Sequence, residues 1–275
     1  MRAVLITLIV MTAASLAFAQ GKSQSPDVLE LKADTLLGRQ DYAGALKIYN
    51  QITSKSKKVK DEIYYKRAFA SYNLGDFESA LRDINTYLAN HSEVQARALR
   101  AYIYQELGDY DNQLKDISAI MEGNPNPELL RWRASVAMEA EQYDLARNDI
   151  KALLAINPDP EVESYLALTY YYQGKPDSAL LVLNKVIRAK PEMVQAYGYA
   201  GSMLLEEAEY DLALEYINQG LAHEPSNASL IFYKGIALTE KKDLEEGCRC
   251  LYKAFTSGMD DAADYLKEYC YQVTE

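Results

Sequence analysis

Histidine, tryptophan and cysteine are scarce in this chain, with two, one and three copies among 275 residues. The two histidines, His91 and His223, lie too far apart in the sequence to build a metal centre together. No HExxH, CxxC pair or GxSxG occurs, so the familiar zinc-hydrolase, thiol-redox and serine-hydrolase patterns are missing. Positive charge is also short. Lysine and arginine total 29 against 40 acidic residues, a formal net charge of −11. Such a surface repels phosphate backbones and anionic lipid, so nucleic acid is not an expected partner. Beyond residue 20 no apolar run approaches the ~20 residues needed to span a bilayer. No catalytic residue, metal or cofactor is expected.

What is present begins with the first twenty residues. Arg2 supplies a short positive region, Ala3 to Leu16 is almost uninterruptedly apolar, and Ala17-Phe18-Ala19 gives a small-x-small cleavage pattern. Residues 1–19 therefore read as a signal peptide of bacterial type, and residues 20–25 as a short disordered segment. The location this implies is exported, either periplasmic or secreted. Asn90-His91-Ser92 and Asn227-Ala228-Ser229 match glycosylation sequons, which in a bacterial setting are chance matches.

Tyrosine is abundant, 23 copies against five phenylalanines, and its placement is periodic. A polar or glycine-containing pair, an aromatic or similar residue, then a small residue three positions on recurs along the chain. The aromatic-type positions are Tyr42, Phe77, Tyr110, Tyr143, Pro176, Tyr210 and Leu244, spaced by 35, 33, 33, 33, 34 and 34 residues. The small positions are Ala45, Ala80, Ala146, Ala179, Ala213 and Gly247, with Gln113 as the exception. A second small series, Ala33, Ala68, Ala101, Ala134, Ala167, Gly201 and Gly235, falls in the preceding half of each period. Large residues at Tyr49, Ile84, Ile117, Ile150, Leu183, Ile217 and Leu251 follow each anchor by four, and Pro125, Pro158, Pro191 and Pro225 close several periods.

On these residues the chain resembles the tetratricopeptide repeat (TPR) family, whose period is 34 residues. The resemblance runs from about Pro26 to the C-terminus. It implies an all-α fold, a right-handed α-α superhelix (solenoid) of about seven TPR-like hairpins over residues 26–275. The physics agrees: each period holds two amphipathic windows of about a dozen residues. Small residues let the two helices cross closely, and one hairpin buries its faces only by stacking on its neighbours. Gly198 and Gly201 then read as packing residues on a helix, not as a phosphate loop. Acidic pairs such as Glu206-Glu207, and the lysines at 55, 57, 58 and 60, read as solvated.

The segment 260–271 reads as a further helix capping the last hairpin. Cys248, Cys250 and Cys270 sit around it. Helices 245–256 and 260–271 should run antiparallel about residue 259, from which 248 and 270 are equidistant. A Cys248–Cys270 disulfide is therefore expected, with Cys250–Cys270 or three free thiols as the alternatives. The stretch also resembles a terminal cap of exported TPR-like proteins, in which the first cysteine matches Cys248.

In TPR-like arrays the first helix of each hairpin lines a concave surface. The corresponding positions here carry Tyr65, Phe69, Tyr72, Tyr102, Arg131, Trp132, Tyr165, Tyr171, Tyr172, Tyr199, Phe232 and Tyr233. Aromatics and arginine are the residue types that anchor partners, although about half of these should serve hairpin packing. Glu30, Asp34, Glu106, Glu128, Glu139, Glu206 and Glu240 edge the same surface. Cytosolic chaperone-binding TPR modules clamp a carboxylate with Lys and Asn. Glu30 and Asp34 stand at those places, so that function is set aside. The expectation is a non-enzymatic scaffold for a protein or peptide in the envelope or outside the cell. The alternative is a structural subunit associating through the edges or ends of the array.

Overall fold

The computed structural model describes residues 25–56, 58–122 and 126–271. Residues 1–19, read above as a signal peptide, residues 20–24, Lys57 and Pro125 lie outside them. The described residues are all-helical in a TPR-like repeat arrangement, with no strand among them. The helices are α1 (Pro26–Gly38), α2 (Tyr42–Lys55), α3 (Asp61–Asn73), α4 (Phe77–Leu88), α5 (Val94–Glu106), α6 (Tyr110–Met121), α7 (Pro127–Glu139) and α8 (Tyr143–Ile156). They continue with α9 (Pro160–Tyr171), α10 (Pro176–Ala189), α11 (Val194–Glu206), α12 (Tyr210–His223), α13 (Ala228–Glu240), α14 (Leu244–Thr256) and α15 (Ala262–Tyr265). Odd and even helices from α1 to α14 pair as seven hairpins.

Similar local chemistry starts several of the helices. Asp41, Asp76 and Asp243 cap α2, α4 and α14 by accepting a backbone N–H three residues on, while Asn126 and Asn227 do so for α7 and α13. The turn between paired helices requires one left-handed residue. Gln40, Gly75, Gly108, Glu141, Gly174, Ala208 and Lys242 fill that place, all with positive φ. Each stands two residues before the aromatic-type position of its repeat. Glycine occupies only three of the seven, so four turns carry a side chain in a conformation that L-residues resist. Pro176, which replaces the repeat's aromatic, sits in the first turn of α10, where its missing N–H costs nothing.

The chain divides into two compact units, residues 1–116 and 117–275. In the first, the core gathers Leu29, Ala45, Tyr49 and Ile63, then Ala68, Ala80, Ile84, Leu99 and Ile103. Two buried carboxylates brace it. Asp83 receives Arg67 Nε and Nη2, both at 2.6 Å, and Asp116 receives Arg100 Nε and Nη2, both at 2.7 Å. Each arginine's Nη1 reaches the preceding hairpin, Arg67 to Asn50 and Thr53, Arg100 to Asn85. Gln113, the residue that departs from the small anchor, is fully buried. Its amide donates to Gln105 Oε1 at 3.3 Å, and its own Oε1 has no partner among the described residues.

In the second unit the core runs through Ala167, Ala179, Leu183 and Ala200, then Leu204, Ile217 and Leu230, and ends on Ile231, Leu251, Ala254 and Leu266. Small residues are obligatory in this unit. A Cβ on Gly247 would stand 2.9 Å from the Thr239 backbone nitrogen, so α13 and α14 touch backbone to backbone there. The C-terminal segment is less regular than one helix over 260–271. After α15 it turns into a π-helical stretch, Leu266–Cys270. Ala262 and Leu266 point into the last core cluster. Cys248 is bonded to Cys270 across this cap, with Cα atoms 5.7 Å apart. Cys250 faces the opposite side of α14, buried and free. Burial, then the charge of Glu246, holds its thiol in the protonated form.

Candidate functional site

The aromatic positions of the first unit divide by burial. Tyr65 and Tyr72 are half-buried against the core, beside the Tyr87 ring at 5.3 Å and the Phe77 ring at 5.8 Å. Phe69 and Tyr102 are exposed, and Phe69 takes the edge of Tyr42 at 6.1 Å. Glu30 and Asp34 are not a bare acidic edge. Lys66 lies between them, 3.1 Å from Glu30 and 2.7 Å from Asp34, and Lys60 reaches Glu30 at 2.9 Å and Asp27 at 3.0 Å. Lys60 thus forms ion pairs while its side chain stays exposed. His91 stacks on Tyr87 with centroids 4.2 Å apart and approaches Asp61 at 3.2 Å.

In the second unit the positions separate more sharply. Phe232 is buried, edge-on to Tyr265 at 5.4 Å in the terminal core. This corrects its assignment to a binding surface: the capping segment covers it. Tyr199 and Tyr233 are half-buried, and the Tyr199 hydroxyl accepts from Gln195 at 3.0 Å. Trp132 is half-buried and Arg131 exposed. The Tyr171 hydroxyl donates to Glu206 at 2.6 Å. Burial, then that carboxylate, raises its pKa above the ordinary tyrosine value.

Arg131, Tyr165 and Tyr172 meet at a cavity of about 630 Å³ between α7, α8 and α9. Met138, Ile150, Leu153, Val162 and Leu168 form its apolar interior. Tyr143 and Tyr172 stack at its rim, centroids 5.5 Å apart and 16° from parallel, and Tyr171 meets Tyr172 edge-on at 5.7 Å. Glu139 and Glu141 stand beside them, and Ser135 lies in the wall. Burial, followed by the Glu141 charge, pushes up the Tyr143 phenol. This size and lining are typical of sites that take a ligand or a partner's side chains.

Ser135 and Met138 hold inward repeat positions but are neither aromatic nor arginine, and Tyr143 lies on the second helix of its hairpin, so a reading of first-helix aromatics and arginines misses all three. The signal was in the register. Ser135 holds the repeat place occupied by Phe69, Tyr102, Leu168 and Ile236 in other hairpins. Among the described residues no helix is long and apolar enough to cross a membrane, and no group of three His, Cys, Asp or Glu side chains could hold a metal ion.

The tetratricopeptide repeat family model matches two stretches, residues 65–126 and 165–222. The chain resembles the crystal structure of the C-terminal part of a TPR repeat-containing protein from Cytophaga hutchinsonii. That match has a TM-score of 0.57 at 19% identity and covers 85% of this chain and 97% of the other. It also resembles a tetratricopeptide repeat protein from Parabacteroides merdae, with a TM-score of 0.56 at 19% identity, covering 89% and 98%. No curated protein matches the sequence. At these identities the structural likenesses establish the fold. The likeness to the tetratricopeptide repeat family model rests on the two stretches it matches.

Proposed function

We propose that this protein is a non-enzymatic scaffold of the bacterial cell envelope or of the secreted fraction, holding a protein or peptide against the first helices of its hairpins. A fold of this kind supplies protein- or peptide-binding surface. The observation that carries the finer reading is the cavity in the second unit, apolar inside and rimmed by exposed Tyr165 and Tyr172. Exposed aromatics beside a preformed apolar cavity are what a partner's side chains bury against. In the first unit, Phe69 and Tyr102 are exposed on the first helices of their own hairpins. Export rests on Arg2, the apolar stretch and Ala17-Phe18-Ala19, and a disulfide suits an oxidising compartment.

A second reading has one observation in its favour. Ile156 and Leu181, on second helices, are 60% and 71% exposed, as edges of a self-assembling subunit would be. Mass by light scattering that grows with concentration, without any partner, would favour it.

The binding reading is tested by crosslinking in the envelope fraction with Tyr165→Ala and Tyr172→Ala chains. Both side chains are exposed, so the variants should melt like the parent to within about 0.5 kcal/mol while losing the crosslinked partner. Phe232→Ala should instead destabilise by about 3 kcal/mol. Retention of the partner by the tyrosine variants would remove this surface from the proposal.

A further inference from the structure

The cavity between α7 and α9 has two chemically different ends. Its interior is aliphatic, but Glu139 and Glu141 stand at one rim with Tyr143 and Tyr172. Glu139 ends α7, where the helix macrodipole adds further negative potential. Elsewhere in this unit, glutamates at the same repeat place are occupied. Glu206 accepts from Tyr171 at 2.6 Å and Glu240 from Tyr269 at 2.5 Å. Glu139 has no side-chain hydrogen bond or ion pair among the described residues. The opposite rim carries Arg131, whose charge is partly answered by Asp159 at 3.9 Å.

Ser135 places a small side chain on the cavity wall. The same repeat place carries Asp34, Phe69, Tyr102, Leu168 and Ile236 in other hairpins. Ser202 is also small, but the Tyr171 phenol is tied to Glu206 one turn further along α11. About 150 Å³ suffices for a benzene-sized group, so a cavity of about 630 Å³ accepts a bulky side chain with its flanking backbone.

We infer that this cavity selects a polypeptide segment in which a bulky apolar side chain neighbours a lysine or arginine. The apolar group enters past Ser135, and the cation lies between Glu139, Glu141 and the Tyr143–Tyr172 faces. The inference rests on the peptide-binding reading above and adds the chemistry of the partner. Charge complementarity chooses the cation, since two unengaged carboxylates and a helix C-terminus outweigh one partly paired arginine. The stacked rings add the attraction of an aromatic face for a cation.

The test is panning of a randomised dodecapeptide display library on the full oxidised chain. Binding is then titrated by the fluorescence of the single tryptophan, Trp132, in three proteins: parent, Ser135→Phe and Glu139→Lys/Glu141→Lys. All three altered positions are exposed, so melting temperatures should match. Expected are peptides pairing Phe, Leu, Ile or Met with Lys or Arg. Their affinity should fall at least tenfold in Ser135→Phe, and about tenfold with a flattened salt dependence in the charge-reversed protein. Selected peptides without basic enrichment, or bound equally by Ser135→Phe, overturn this inference and leave peptide binding standing. No peptide enriched above background overturns both.

Discussion

Arg133 grips Asp149 with two parallel hydrogen bonds, Nε to Oδ2 at 2.8 Å and Nη2 to Oδ1 at 2.7 Å, and its Nη1 donates to Ser118 at 3.1 Å. Asp149 is almost wholly buried. One guanidinium thus ties both helices of its own hairpin to the second helix of the hairpin before. Arg133→Met should strand a buried carboxylate and destabilise the protein by about 3 kcal/mol. Arg133→Met/Asp149→Leu should recover most of that loss, because the pair replaced together leaves no unpaired charge. Urea denaturation followed by circular dichroism measures both, and equal losses in single and double variants would contradict the brace.

The Cys248–Cys270 bridge closes a 22-residue separation over the terminal core. Cys270→Ser should cost about 3 kcal/mol through loop entropy in the unfolded chain, exposing Ala262, Leu266 and Phe232. Non-reducing peptide mass spectrometry should find the 248–270 crosslink, and alkylation in denaturant without reductant should label Cys250 alone. Three labelled thiols would refute the pairing.

Ala208 holds a left-handed turn, φ 58°, that its counterpart Gly174 takes without steric cost. Ala208→Gly should therefore stabilise by about 1 kcal/mol, raising Tm by about 2–4 °C. Gly174→Ala should do the reverse. Differential scanning calorimetry of the two variants checks the sign.

Of the tyrosines raised above the ordinary value of 10.0, three are raised furthest. Tyr49 is raised by burial and then by its hydrogen bond to Asp34, Tyr171 by burial and then by Glu206. Tyr269, bonded to Glu240 and then desolvated, is pushed up to about 12. In each case the folded chain holds the proton more tightly than the unfolded chain. The stabilisation is thus complete below pH 10 and lost as pH rises from there through the folded values, with Tyr269 going first. Urea midpoints taken from pH 8 to 12 should fall above pH 10, and Tyr269→Phe should flatten the part of the decline below pH 12. An unchanged profile would show that Tyr269 does not contribute.

The repeat was legible because packing repeats. Ala68, Ala80 and Ile84 stand in register with Ala167, Ala179 and Leu183, since each hairpin solves the same crossing problem with the same small and large residues. The arginine brace had an equally periodic trace, Arg67, Arg100 and Arg133 each followed sixteen residues later by Asp83, Asp116 and Asp149. It passes unnoticed when charged residues on helices are read as solvated. The binding surface was harder to read. Residue type alone cannot distinguish Phe232, roofed by the capping segment, from Tyr172, left open beside the cavity.

Local chemistry in the chain determined the helices, their aspartate and asparagine caps, the seven turns and the pairing of helices into hairpins. All of these depend on residues within one period of each other. Only the tertiary structure decided which aromatic rings are covered, which carboxylates are engaged, and that a cavity lies beside Ser135 in the fourth hairpin. Those outcomes depend on what the neighbouring hairpin or the terminal cap places opposite each side chain, which a pattern read along one helix does not contain.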